Sequence, residues 1–271
     1  MSQVSGYCEL LAPVIDVAQA AALEILRIYE GGFSVNRKAD ETPVTEADVA
    51  ASELIVAALK HLTPDWPVLS EEGCEPPFAE RRLWSRYWLV DPLDGTREFI
   101  RRNGEFTVNI ALIEEGEPVL GVILAPVSGD LYFAARGEGA FTRDRHGASW
   151  RITTRGWDGG TLVVAGSRSH RQPAFRQFLS QFPDHQVLSL GSSLKSCYVA
   201  QGRADIYVRF GPTSEWDTAA AQCIVEEAGG QLTDMSLQPL RYNTKASLLN
   251  PPFLVFGDGR WAWDRYVATA L

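Results

Sequence analysis

The sequence predicts an α/β protein in two parts, an α+β part over residues 1–155 and an α/β part over 156–271. Three observations carry that reading. Two amphipathic helical patterns open the chain, short apolar runs parted by glycine turns follow, and beyond about residue 158 strand and helix patterns alternate. A length of 271 residues suits one large domain or two ordinary ones, and the absence of a long linker or repeat implies that any two parts pack closely.

Leu10, Val14, Val17, Ala18, Ala21, Ile25 and Ile28 recur at helical spacing before Gly31-Gly32, which supply a stop. A second helix is expected over 46–62, with Ala51, Ile55, Ala58, Leu59 and Leu62 on its apolar face and Thr45-x-x-Asp48 in the form of a capping box. The period then shortens: Val68-Leu69-Ser70 and Tyr87-Trp88-Leu89-Val90 read as strands that run directly into acidic residues. Residues 106–141 read as an antiparallel meander with turns at Glu115-Gly116-Glu117 and Ser128-Gly129-Asp130, and Gly137, Gly139 and Gly147 predict looser structure after it. In the second part, LVVAGS, QVLSL and ADIYVR are strand candidates, alternating with helices expected at 173–182, 193–201 and 217–228.

Hydrophobic residues make up 45% of the chain and charged residues 22%, which is enough apolar matter for a core. With 25 Lys and Arg against 34 Asp and Glu the net charge is −9, which disfavours a polynucleotide partner. Cys8, Cys74, Cys197 and Cys223 form no C-x-x-C pair, so neither zinc nor a disulfide framework is signalled, and a reducing cytoplasm is expected. The first residues lack a basic leader, and no apolar run is long enough to span a bilayer.

Chemistry is expected first at Trp88-Leu89-Val90-Asp91-Pro92-Leu93-Asp94-Gly95-Thr96. Pro92 and Gly95 predict a turn that brings Asp91, Asp94 and the Leu93 carbonyl to one point, an all-oxygen set that suits Mg²⁺, Mn²⁺ or Ca²⁺. A solvated Asx-turn uses the same residues. Glu71 and Glu72 after the first strand, and Asp217 at a helix start, are further acids; a polar strand end and a helix cap would also account for them. Asp48 reads as a capping residue, and Thr96 could orient an attacking water only if the fold sets Asp48 beside it. No lysine follows a glycine as in a Walker loop, Gly137-Glu138-Gly139 lacks the third glycine of a dinucleotide fingerprint, and no H-E-x-x-H or G-x-S-x-G occurs.

Taken together, SEE at 70–72, DPLDGT at 91–96 and EWDTAAAQCIVEEAGG at 215–230 resemble, in order and spacing and over nearly the whole chain, the lithium-sensitive, magnesium-dependent phosphatase superfamily of inositol monophosphatases and bisphosphate nucleotidases. Arg97-Glu98-Phe99, where inositol monophosphatases usually carry Thr-Asn-Phe, resembles the bisphosphate nucleotidase branch, as do LGSSLKSCYVAQG and ADIYVRFGPTSEWD. The resemblance implies a layered αβαβα sugar-phosphatase fold and hydrolysis of 3′-phosphoadenosine 5′-phosphate to AMP and phosphate, with its sulfated form, which would give adenosine 5′-phosphosulfate, left open as a second substrate. It implies two or three Mg²⁺ ions, inhibition by Li⁺, a role in sulfur assimilation and a cytoplasmic location, with association at the inner membrane left open.

Residue by residue, the resemblance implies metal ligation by Glu71, Asp91, the Leu93 carbonyl, Asp94 and Asp217, with Glu71 also catalytic and Glu72 a neighbouring acid. Thr96 and Asp48 match the pair that positions the nucleophile, and Gly95 and Thr96 the backbone that meets the scissile phosphate. Ser167, His170, Ser192, Lys195 and Arg209 match positions on the nucleotide side, joined in substrate binding by Glu71, Leu93, Asp94 and Asp217. Lys195 and Arg209 have bland alternatives as a solvated helix residue and a strand end. An inositol or sugar phosphatase, and a non-catalytic regulatory binding protein, are the alternative functions.

Overall fold

The structure is a computed structural model that describes residues 6–37, 43–167, 173–257 and 259–268. It opens with α1 (Cys8–Gly31), a short hairpin of β1 (Val35–Arg37) and β2 (Pro43–Thr45), and α2 (Glu46–Leu62). A seven-stranded sheet follows. It comprises β3 (Val68–Ser70), then after α3 (Phe78–Arg81) the long β4 (Arg86–Asp94), and after α4 (Thr96–Ile100) the run β5 (Thr107–Glu114), β6 (Glu117–Leu124), β7 (Leu131–Ala135), β8 (Gly139–Arg143) and β9 (Ser149–Ile152). The second part holds β10 (Leu162–Gly166), α5 (Pro173–Leu179), β11 (His185–Ser189), α6 (Leu194–Ala200), β12 (Ile206–Arg209), α7 (Glu215–Glu227), β13 (Gln231–Asp234), β14 (Phe253–Phe256) and α8 (Trp263–Ala268).

Strand periodicity explains why these elements stack in five layers. Successive side chains of a strand point to opposite faces, so Trp88, Val90, Ile110 and Leu112 meet α1 and α2 on one side of the first sheet. Tyr87, Leu89, Ala111 and Ile113 alternate with them and face α6 and α7 on the other. The second sheet repeats the device. Tyr207, Phe253 and Val255 join the α6–α7 layer, while Ile206, Val208, Leu254 and Phe256 pack with Phe178, Trp263 and Val267 of the outer α5–α8 layer. Strands buried on both faces take apolar residues on both, which is why residues 110–113 of β5 and 118–124 of β6 read as continuous apolar runs.

The central helix α7 is packed unusually close to the first sheet. A Cβ at Gly121 of β6 would lie 2.4 Å from the Ala220 carbonyl oxygen, so this glycine admits the helix backbone. The alanines of DTAAA are thus a packing surface between the two sheets. The hydrophobic core is continuous from β4 through α7 to β14.

Two expectations are corrected. The glycines at 137 and 139 do not loosen the chain: both take positive φ (85° and 83°) in the β7–β8 turn, and β8 and β9 extend the antiparallel sheet. The second sheet is mixed: β10 pairs in parallel with β11 and β12, whereas β14 pairs antiparallel with both β12 and β13. The helices expected at 173–182 and 193–201 are shorter, and β13, β14 and α8 form beyond residue 230, where no element was expected.

Candidate active site

The sheet delivers the acids to one place. Glu71 follows β3, whose parallel partner is β4 in the register Ser70↔Val90, and the Glu71 N–H donates to the Val90 carbonyl at 3.1 Å. That register sets Glu71 beside Asp91. The expected turn at 91–94 is instead a bulged strand: Asp91 pairs with Asn109 and Asp94 with Thr107, so two β4 residues oppose Val108 alone. Pro92 has no N–H to give to a ladder, and the Leu93 N–H turns inward to Asp91 Oδ1 at 3.0 Å. The reversal comes one residue later, at Gly95 with φ 96°, from which α4 begins.

From across the layer the N-terminus of α7 brings Asp217. Glu71, Asp91 and Asp217 each offer a carboxylate oxygen within 4.8 Å of the others. Burial first, and then the surrounding acids, raise the Asp91 carboxyl far above its ordinary range and raise Asp217 as well. Three carboxylates this close repel one another until a cation neutralises them, and a purely oxygen donor set is what a hard divalent ion takes. The site therefore fits the metal that its sequence implies.

Asp94 stands next to this group. Its Oδ2 accepts from Ser192 Oγ at 2.6 Å and Ser193 Oγ at 2.8 Å. Ser192 also meets Thr107 Oγ1 at 2.6 Å, and Asn109 Nδ2 donates to Ser193 Oγ at 2.9 Å. Ser193, Thr107 and Asn109 escaped the sequence reading. For Thr107 and Asn109 the signal lay in FTVNIALI, where two polar residues at i and i+2 interrupt a buried strand on one face.

On the other side, Thr96 Oγ1 donates to Asp48 Oδ1 at 3.0 Å. The second Asp48 oxygen accepts from the Thr45 N–H at 2.7 Å and Thr45 Oγ1 at 2.6 Å. Capping and contact with Thr96 are therefore compatible, because each uses a different oxygen. Asp48 is 2% exposed, and burial raises its carboxyl while the bonds from Thr45 and Thr96 oppose the shift.

A cavity of about 160 Å³ opens from Asp94, Gly95 and Asp217 and is lined by Glu98, Ser167, Ser192, Lys195, Tyr207, Arg209, Thr213 and Phe253, among others. Lys195 is no solvated helix residue. It is 6% exposed, donates to the Ser192 carbonyl, and lies 5.4 Å from the Tyr207 ring centroid. Burial lowers its ammonium to about 8, against the opposing pull of Asp94. Arg209 Nη2 donates to the Pro212 carbonyl at 3.1 Å, while its Nε and the Thr213 hydroxyl are buried beside the cavity without a hydrogen-bond partner. Ser167 and Ser192 line the same wall; His170 lies outside the described residues.

Among known proteins, the inositol monophosphatase family matches residues 8–269. A relative from Salmonella typhimurium, the 3′(2′),5′-bisphosphate nucleotidase CysQ, is 49% identical over 91% of this chain and 99% of its own. The protein of the same name from Haemophilus influenzae is 38% identical over 94% of this chain and 95% of its own. Among solved structures, CysQ from Bacteroides thetaiotaomicron, described as a bacterial member of the inositol monophosphatase family, superposes with a TM-score of 0.78 at 42% identity, covering 91% of this chain and 96% of that one. Among the described residues no helix is long and apolar enough to cross a membrane. With its layered fold, its acidic centre and these relatives in view, the chain belongs to the inositol monophosphatase family and is a phosphatase.

Proposed function

We propose that this phosphatase is a Mg²⁺-dependent 3′(2′),5′-bisphosphate nucleotidase that hydrolyses 3′-phosphoadenosine 5′-phosphate to AMP and phosphate, acting in the cytoplasm. The observation that carries the reading is one cavity lined by two kinds of group: the acids Asp94 and Asp217, the latter clustered with Glu71 and Asp91, on one side, and the cations Lys195 and Arg209 on the other. A substrate with two phosphates suits such a site, one phosphate at the acids through bound metal and one at the basic wall. The resemblance to proteins named bisphosphate nucleotidase supports the same substrate.

Glu71, Asp91, the Leu93 carbonyl, Asp94 and Asp217 would hold two or three Mg²⁺ ions. When bound, these ions supply charge neutralisation for the reacting phosphate and acidify a water, and Li⁺ is expected to inhibit by competing there. The chain's own groups do the rest. Thr96 donates a hydrogen bond to Asp48 Oδ1, so its lone pairs are left to accept a hydrogen bond from the attacking water and aim the water's oxygen at phosphorus. The raised Asp48 carboxyl is suited to take the water's proton through Thr96. The new bond joins water oxygen to phosphorus, the bond from phosphorus to the 3′ oxygen breaks, and the departing oxygen acquires a proton from solvent. Gly95, at the entrance to α4, has no side chain to keep the scissile phosphate away, and Ser167, Ser192, Lys195 and Arg209 orient the nucleotide.

The test is phosphate release from 3′-phosphoadenosine 5′-phosphate and from inositol 1-phosphate, each with Mg²⁺, with EDTA, and with Mg²⁺ plus Li⁺. Strong preference for the nucleotide, lost in EDTA and suppressed by Li⁺, is expected. Preference for inositol 1-phosphate would overturn the substrate, and release unaffected by EDTA would overturn the role of the metal.

A further inference from the structure

The most deeply buried charges outside the site are Arg81 and Glu215, both 0% exposed. Arg81 ends α3, on the segment that leaves Glu71; Glu215 opens α7, one turn-residue pair ahead of Asp217. Asn243 joins them. Arg81 Nη1 donates to Asn243 Oδ1 at 2.6 Å, Asn243 Nδ2 donates back to the Arg81 carbonyl at 2.5 Å, and the Asn243 N–H donates to Glu215 Oε2 at 2.8 Å. Arg81 Nη2 also reaches the Ala246 carbonyl, and Lys245 Nζ lies 3.6 Å from Glu215 Oε1. The same loop closes on the helix start, with the Glu215 N–H donating to the Leu248 carbonyl at 2.8 Å and Asn250 Nδ2 to the Ser214 carbonyl at 2.7 Å.

We propose that the Arg81–Asn243–Glu215 cluster is a positioning device that holds Asp217 against Glu71 at the spacing a divalent cation requires. The inference rests on the metal-dependent reading above. Asp217 comes from a segment far along the chain from Glu71 and Asp91, yet the three offer carboxylate oxygens within 4.8 Å of one another, a spacing that like charges oppose. A staple made of backbone-directed bonds, buried away from solvent, resists their separation. Asn243 suits its post because its φ of 58° is in the left-handed region, where asparagine is better tolerated than most residues. None of the three residues lines the cavity, so they act through Glu71 and Asp217 and not on substrate.

The test compares the full-length protein with Arg81→Met, Asn243→Gly and the double variant Arg81→Met/Glu215→Gln. Glycine at 243 keeps the left-handed backbone while deleting the side-chain bonds. Mn²⁺ binding is read by the electron paramagnetic resonance of the free ion, alongside melting temperature in EDTA and the Mg²⁺ requirement for phosphate release from 3′-phosphoadenosine 5′-phosphate. Loss of a group bonded directly to a metal ligand weakens affinity by roughly 10–100-fold; this cluster acts one step further out, so a loss of about tenfold is expected in each variant, with kcat at saturating Mg²⁺ within about threefold of the parent. The double variant strands no buried charge, so its melting temperature recovers relative to Arg81→Met while its Mn²⁺ affinity stays weak. Parental Mn²⁺ affinity in Asn243→Gly and the double variant would overturn the proposal, as would recovery of affinity together with melting temperature. Should Arg81→Met fail to fold, those two variants carry the test. A parent that neither binds Mn²⁺ nor needs Mg²⁺ would instead overturn the metal-dependent reading itself.

Discussion

The starts of α2 and α7 are built alike. Thr45 and Asp48 form a capping box at the first, Ser214 and Asp217 at the second, and in each the acid at the third helical position gives one oxygen to the cap. Asp48 Oδ2 takes the Thr45 N–H at 2.7 Å, and Asp217 Oδ2 takes the Ser214 N–H at 2.8 Å. Both carboxyls are raised, burial being the largest cause. They part company over what the rest of each carboxylate meets: Asp48 Oδ1 accepts a hydroxyl proton from Thr96, whereas Asp217 joins Glu71 and Asp91 in a cluster of like charge. A cap fixes a carboxylate's position and leaves part of it free; the opposing wall then decides whether that carboxylate suits a proton relay or a cation.

The largest effects should separate these two uses. Asp217→Asn removes a ligand from the proposed metal site, and phosphate release at ordinary Mg²⁺ should fall by on the order of 10³-fold, several kcal/mol of lost charge stabilisation. Asp48→Asn and Thr96→Ala, lacking one partner of the relay, should lower kcat by roughly 10²-fold with the Mg²⁺ requirement unchanged. Steady-state kinetics over a Mg²⁺ titration reads both. A shifted Mg²⁺ requirement in Thr96→Ala, or none in Asp217→Asn, would erase the distinction between the two acids.

The next effect is on stability. Asp91 and Asp217 bind protons more tightly in the fold than in the unfolded chain, where an aspartate titrates near about 3.9. In EDTA the folded form therefore holds extra protons as pH rises above about 4, and its stability declines through that range. The melting temperature without metal should fall between about pH 5 and pH 8, and Mg²⁺ should restore it most at the alkaline end, where the acids are free to bind. Asp217→Asn should flatten the decline. A melting temperature in EDTA that climbs with pH would contradict the repulsion read from the cluster.

The two boxes also show what the sequence carries and what only the fold adds. Thr45-x-x-Asp48 announces a helix start from local spacing alone, and Leu10 to Ile28 announce a helix in the same way, because both signals are contained within a few residues. DPLDGT is legible as an oxygen-rich site, yet its bulge follows from pairing with Asn109 and Thr107 across the sheet. Arg81 sits among surface-like charges in FAERRLW, and only packing by α3 and the 243–246 loop makes it a buried anchor. Lys195 is ambiguous for the same reason: its burial depends on neighbours such as Tyr207, which belongs to β12. The glycines at 137 and 139 mislead because positive φ serves a tight turn as readily as a loose loop.

The smallest effects come from the caps themselves, and they test the comparison most finely. Thr45→Ala and Ser214→Ala should each cost about 1 kcal/mol, or roughly 2–4 °C in a chain of this size. Their kinetics should differ. Thr45 Oγ1 donates directly to Asp48 Oδ2 at 2.6 Å, so its loss removes one donor from the carboxylate proposed to take the proton. A hydrogen bond contributes about 0.5–1.5 kcal/mol, and kcat of Thr45→Ala should fall by up to about tenfold. In Ser214→Ala the bond to Asp217 comes from the main-chain N–H and survives the substitution, so kcat should stay within about twofold while melting temperature drops alike. Equal kinetic losses in the two variants would mean that helix capping as such, and not the hydroxyl on Asp48, governs the active site.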